Sequence, residues 1–109
     1  MASGSIFQVR PNIGFAYEEL AVTTSIQVLT PSKFKDSATS GGASSAFLTL
    51  DGGDIRWTYD GVTSPSGTVG HKLTDGGSLV LTGQNQMASF KCYQTGAAGS
   101  TIRITYERE

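Results

Sequence analysis

Few residues of this chain have the side chains that catalysis requires. The sequence contains one histidine, His71, and one cysteine, Cys92. A nucleophilic triad needs a base beside the nucleophile and a third group that orients the base, and no G-x-S-x-G motif accompanies His71. Alternation with Phe90 places the Cys92 thiol on an inward strand face, where it acts as a small hydrophobe. The sequence therefore predicts that the protein is not an enzyme and that His71 is a structural residue near a turn.

Metal and cofactor sites are not indicated either. One His and one Cys fall short of the four protein ligands of a structural zinc site. The run DGGD at residues 51–54 offers carboxylates to calcium, but it lacks the EF-hand spacing and closing Glu, and Asp beside Gly is common in β-turns. No glycine-rich stretch carries the Lys-Ser/Thr of a phosphate-binding loop. We expect no metal, no cofactor and no small-molecule substrate.

Aromatic side chains leave one ligand class open, because exposed rings can stack against the apolar faces of sugars. Alternation in the run IRWTYD places Trp57 and Tyr59 on the core side of a strand. Tyr93, Phe47 and Tyr17 remain as outward candidates. A carbohydrate-binding β-sandwich module, with Tyr93 and Phe47 as glycan contacts, is therefore an alternative function.

Strands must position these side chains, since alternation of apolar and polar residues recurs along the chain and helical periodicity does not. Residues 102–106, for example, place Ile102, Ile104 and Tyr106 on one face. Asp-Gly and Gly-Gly pairs separate the runs and favour tight turns. The sequence predicts an all-β fold: a single compact antiparallel β-sandwich, jelly-roll or Ig-like, with six to eight short strands.

The same pattern makes local predictions. Residues 20–29 form one half-buried strand with Leu20, Val22, Ile26 and Val28 inward. Residues 46–60 form a hairpin around a 51–53 turn. The Gly- and Ser-rich stretch 32–45 is a long mobile connection. A further strand follows at residues 87–94, with inward side chains at Ala88, Phe90 and Cys92.

Length and charge narrow the classes of partner. A chain of 109 residues is close to the commonest size of one domain. Its 8 Lys+Arg and 9 Asp+Glu are scattered and give a net charge of −1, which argues against nucleic acid as a partner. No signal peptide and no run of ~20 apolar residues is present, so no membrane is expected. The lone cysteine rules out an intrachain disulfide and favours a reducing cytosol.

The N-terminal residues 1–19 differ from the predicted β-sandwich domain at residues 20–109. They are apolar without a clean strand pattern, and Pro11 and Gly14 interrupt them. The segment is either an edge strand of the domain or an arm that covers a neighbouring subunit. The predicted interface side chains are Ile6, Phe7, Val9, Ile13, Phe15 and Tyr17.

Slightly more than half of the chain resembles a group of short proteins encoded among the structural genes of tailed bacteriophages. The more distinctive part is Asp60-Gly61, a short Pro/Ser/Thr linker, and then Gly70-His71-x-Leu73. The N-terminal residues up to Glu19 are not covered. The matching runs are IRWTYDG, TVGHKL, GGSLVL, MASFK and IRITY.

This resemblance implies a non-enzymatic virion protein that is assembled in the host cytoplasm. The expected role is a capsid cement or decoration protein that binds the head shell in many copies, with itself and the major capsid protein as partners. A head–tail connector, neck or tail component is the alternative within the same class, and nothing in the composition separates the two.

Overall fold

The computed structural model describes residues 13–35, 42–95 and 99–108. Within these ranges the chain forms eight strands and two short helices. In chain order the elements are β1 (Ile13–Val22), β2 (Gln27–Val28), α1 (Pro31–Phe34), β3 (Ser45–Asp51), β4 (Ile55–Thr58), β5 (His71–Leu73), β6 (Ser78–Thr82), α2 (Gln84–Ser89), β7 (Lys91–Gln94) and β8 (Ser100–Arg108).

The strands pair like one long hairpin that is folded over on itself. β1 pairs with β8, β2 with β7, β3 with β6 and β4 with β5, all antiparallel. Two further pairs, β3 with β8 and β4 with β7, complete two four-stranded sheets. Sheet 1 has the order β1-β8-β3-β6, and sheet 2 has the order β2-β7-β4-β5. The predicted all-β sandwich is confirmed, and its nested connectivity is that of the jelly roll and not of the Ig fold.

Alternate strand residues fill the space between the two sheets. In β8, the side chains of Ile102, Ile104 and Tyr106 are fully buried, as predicted. Phe90 and Cys92 are also fully buried, which confirms their predicted inward orientation. Burial raises the pKa of the Cys92 thiol to about 12, so this cysteine stays protonated and serves as an apolar core residue.

A half-buried polar network connects the edge strand of sheet 1 to the core residue Tyr106. The Tyr106 hydroxyl donates to Glu18 Oε1, and the Thr30 hydroxyl donates to Glu18 Oε2 at 2.8 Å. Burial and the hydrogen bond to Glu18 raise the pKa of Tyr106, so its hydroxyl remains a donor. Because Glu18 lies in β1 and Thr30 precedes α1, the network joins β1, β8 and the start of α1.

The strand predicted at residues 20–29 is divided in two. β1 ends at Val22, and only Gln27–Val28 pair in β2. In the intervening segment the Ser25 backbone N–H donates to the Thr23 hydroxyl oxygen at 3.1 Å and forms a local turn. The chain passes here from sheet 1 to sheet 2, and the crossing leaves Ile26 and Val28 exposed instead of inward.

The prediction of a hairpin at residues 46–60 is wrong. β3 lies in sheet 1 and β4 lies in sheet 2, so the turn at residues 51–53 is a corner between the sheets. Gly52 has a φ of 109° at this corner, a conformation that glycine adopts without strain. The sequence therefore predicts the turn correctly, but the turn joins strands that lie in different sheets.

Two segments predicted as non-helical contain the helices. The predicted mobile connection at residues 32–45 contains most of α1, whose Phe34 side chain is only 1% exposed. Proline suits the first helical position because its φ is already helical, and α1 begins at Pro31. The strand predicted at residues 87–94 is helical at its start, because α2 extends to Ser89. Ala88 is therefore exposed and not inward as predicted.

Candidate functional site

Three ring side chains meet at one end of sheet 2. Trp57 in β4 is paired with His71 in β5, and Tyr59 follows β4 by one residue. The ring centroids of Trp57 lie 4.9 Å from His71 and 5.6 Å from Tyr59, and those of Tyr59 and His71 lie 6.4 Å apart. The planes are tilted by 33° to 41°. We call these three residues the aromatic trio.

The trio corrects the prediction that Tyr59 faces the core. Trp57 is half-buried, packs against the core and has its ring centroid 5.9 Å from that of Phe90. Tyr59 lies two residues further along and is 44% exposed. Alternation correctly places Trp57 and Tyr59 on the same side of the chain, but only Trp57 packs against the core.

A cleft of about 600 Å³ opens beside the trio. Its floor and walls include the end of β4, the start of β5 and part of the 60–70 connection between them. We call it the aromatic cleft. It is lined by Thr58, Tyr59, Asp60, Thr63, Gly70 and His71.

Asp60 shapes one wall of the aromatic cleft. Its Oδ1 accepts hydrogen bonds from the Val62 and Thr63 backbone N–H groups at 3.0 and 2.8 Å, and its Oδ2 accepts one from the Thr63 hydroxyl at 2.7 Å. These bonds, with the Thr63 hydroxyl first, lower the pKa of Asp60 to about 2. The carboxylate therefore stays charged at neutral pH and holds the turn in one conformation.

The rest of the 60–70 connection is held against β4. The Thr58 hydroxyl donates to the Thr63 carbonyl at 2.7 Å, and the Arg56 guanidinium donates to the Gly70 carbonyl at 2.9 Å. At Gly70 the backbone has a φ of 114°, and a Cβ there would lie 3.0 Å from the Trp57 carbonyl oxygen. The connection thus approaches β4 closely, and the aromatic cleft is preformed by local bonds.

The predicted glycan contacts do not come together. Phe47 alternates with buried Ala46 and Leu48 and lies on the outer face of sheet 1. Tyr93 alternates with buried Cys92 and Gln94 and lies on the outer face of sheet 2. The two rings are on opposite sides of the sandwich, so they cannot contact one small ligand together.

Phe47 lies instead on the same sheet face as Tyr17, one of the predicted interface residues, with strand β8 between them. Strand register aligns Tyr17, Thr105, Phe47 and Val80 across the four strands of sheet 1. Tyr17 is 49%, Phe47 42% and Val80 55% exposed. We call this line of residues the outer row.

An ion-pair cluster borders the outer row. The Arg103 guanidinium contacts Asp51 at 2.9 Å and Glu19 at 3.7 Å, all three on exposed side chains. The Tyr17 hydroxyl also donates to Glu19 at 2.9 Å. The outer face of sheet 1 therefore combines an apolar line with a polar margin, which is the composition of many protein interfaces.

The other predicted interface residues divide into two groups. Ile13 and Phe15 lie in β1, the edge strand of sheet 1. Ile13 is exposed, whereas Phe15 packs against the core and has the Arg108 guanidinium 5.8 Å from its ring centroid. β1 also runs without interruption across the predicted boundary between residues 19 and 20. Ile6, Phe7 and Val9 lie outside the described residues.

The carboxylates of the 51–54 run have separate partners. Asp51 pairs with Arg103, while Asp54 lies 3.8 Å from the Lys72 ammonium. In residues 13–35, 42–95 and 99–108, no group of three or more metal-binding side chains is found.

Neither helix of the described residues is long and apolar enough to cross a membrane. Comparison with protein-family models, with curated proteins and with solved structures finds no match to this chain.

Proposed function

We propose that this protein is a non-enzymatic structural subunit of a tailed-bacteriophage virion, most simply a cement or decoration protein that binds the head shell in many copies. The resemblance to short phage structural proteins motivates the proposal. Viral capsid proteins are among the proteins that use the jelly-roll architecture. The proposed partners are further copies of this chain and the major capsid protein.

The outer row is the observation that best supports a structural role. Three large side chains, Tyr17, Phe47 and Val80, are exposed along this row on one sheet face, with Thr105 between Tyr17 and Phe47. Apolar lines with polar margins favour burial against another protein. A neighbouring subunit or the shell surface would cover this line and give the protein its place in an assembly.

The N-terminal segment supplies a second proposed contact. β1 is an edge strand, so the N–H and C=O groups along one of its sides are available for pairing with another chain. Ile6, Phe7 and Val9 precede it in the sequence. We propose that these residues, with Ile13 and Tyr17, form an arm that binds a neighbouring subunit.

Quantitative mass spectrometry of purified particles tests the virion role. A decoration protein should be present in hundreds of copies per particle. A connector or neck protein forms a closed ring and should be present in roughly six or twelve copies. Absence of the chain from purified particles would overturn the virion proposal in all its forms.

Deletion of residues 2–12 tests the arm. This change leaves every described strand and helix intact, so a folded monomer that no longer oligomerises or binds shells is expected. Size-exclusion chromatography with light scattering and a particle-binding assay are the measurements. Deletion of residues 2–4, which removes only Ala-Ser-Gly, is the matched control and should bind normally. Unfolding of the longer deletion would show that the segment belongs to the domain core, and unchanged binding would show that it is not the contact.

A further inference from the structure

We propose that the aromatic cleft binds a neutral carbohydrate, with a pyranose ring lying against Tyr59 and His71. This inference does not depend on the virion role. It differs from the glycan site considered from the sequence, because its residues are the aromatic trio, Asp60 and Thr63 instead of Phe47 and Tyr93.

The rings provide the apolar part of such a site. Sugars present C–H groups on one face of the ring, and these pack against aromatic faces. Tyr59 and His71 are both exposed, while half-buried Trp57 supports them from the core side. Because the planes are tilted to one another by 33° to 41°, the trio presents a shaped surface and not a flat stack.

Asp60 provides the polar part. A carboxylate oxygen can accept two hydrogen bonds, and Oδ2 accepts one at 2.7 Å from Thr63. It can therefore accept a second bond from a sugar hydroxyl. Three bonds already hold the carboxylate in place, so little side-chain entropy would be lost on binding.

Two exposed ring residues add further hydrogen-bonding groups. Within the described residues, neither the Tyr59 hydroxyl nor the His71 ring nitrogens have a hydrogen-bond partner. They adjoin the same cleft. A ligand rich in hydroxyls, each both donor and acceptor, matches this mixture of groups better than an apolar ligand does.

Charge and size restrict the ligand class. Asp60 is the lining residue with a negative charge, and like charges repel, so acidic sugars are disfavoured. Arg56 and Lys72 are not among the lining residues; Arg56 bonds to the Gly70 carbonyl, and the Lys72 ammonium lies 3.8 Å from Asp54. A cleft of about 600 Å³ falls within the range of roughly 300–1,000 Å³ that is usual for small-ligand sites. These features favour a short neutral oligosaccharide.

The chain offers a direct probe of this site, because Trp57 is its only tryptophan. Intrinsic fluorescence is titrated with neutral di- and trisaccharides of glucose, galactose, mannose and N-acetylglucosamine, and with sialyllactose as the acidic comparison. We expect at least one neutral sugar to change the Trp57 emission saturably, with sialyllactose binding more weakly. Nuclear magnetic resonance titration of the backbone amides of residues 58–71 provides the second readout.

Matched tyrosine variants locate the binding. Tyr59→Ala removes an exposed ring and should weaken the sugar affinity by about tenfold while thermal unfolding is unchanged. Tyr93→Ala, on the opposite face of sheet 2, should bind as the wild type does. The proposal is overturned if none of the neutral sugars binds, if Tyr59→Ala binds normally, or if the cleft binds a proline-rich peptide and no sugar.

Discussion

Replacement of Phe34 by alanine is expected to lower the free energy of unfolding by about 3–5 kcal/mol, the usual cost of removing a buried aromatic ring. The Phe34 side chain is almost fully buried, and its ring centroid lies 6.0 Å from that of Tyr106. Tyr106 is itself fully buried and bonded to Glu18. Loss of the Phe34 ring would therefore leave a cavity beside the network that joins β1 and β8. Urea denaturation followed by circular dichroism measures the change.

The control for this experiment lies two residues away. Ser32 is exposed in the same helix, and Ser32→Ala should change stability by less than about 0.5 kcal/mol. A loss below about 1 kcal/mol for Phe34→Ala would contradict the buried placement of α1 and would restore the prediction of a mobile connection.

Phe34 shows which residues a sequence pattern fails to identify. Periodicity needs several apolar residues at regular spacing, and Phe34 is a single apolar side chain between lysines in a segment rich in Ser and Gly. Pro31 follows the strand predicted at residues 20–29, and proline is also suited to the first position of a helix. In β8, by contrast, apolar and polar side chains alternate along a strand of nine residues. This longer pattern predicts the inward orientation of Ile102, Ile104 and Tyr106.

Only part of the aromatic cleft can be predicted from the sequence, because alternation shows which face a residue is on but not whether that face is covered. Alternation correctly puts Trp57 and Tyr59 on one face, and the Asp60-Gly61 pair correctly indicates a turn. The extent to which the other sheet covers that face depends on how the two sheets pack, which no local pattern specifies. A useful signal was present at Asp60 and Thr63, since Asp followed by Thr three residues later can close an Asx-type turn.

The turn at residues 51–53 also shows that a local sequence pattern does not specify how the two sheets are arranged. Asp-Gly-Gly indicates a reversal with positive φ, but the residue types are the same for a hairpin and for a corner between sheets. The surroundings of the corner distinguish them. The Gly52 N–H donates to Asp75 Oδ1 at 3.0 Å, and the Ser100 hydroxyl donates to the Gly53 carbonyl at 2.9 Å, so the β5–β6 connection and the start of β8 close around it.

Replacement of Gly52 by alanine is therefore expected to cost at least about 3 kcal/mol, because positive φ strain and a steric clash add together. A Cβ at Gly52 would lie 2.2 Å from the Gly99 carbonyl oxygen, and this backbone atom cannot move away as a flexible side chain would. Gly76→Ala is the matched control: Gly76 also has a positive φ, of 85°, but a Cβ there meets no atom within 4 Å. That variant should lose only about 1–2 kcal/mol, the cost of the backbone conformation alone. Urea denaturation of both variants separates the two effects, and equal losses would mean that the corner does not pack against Gly99.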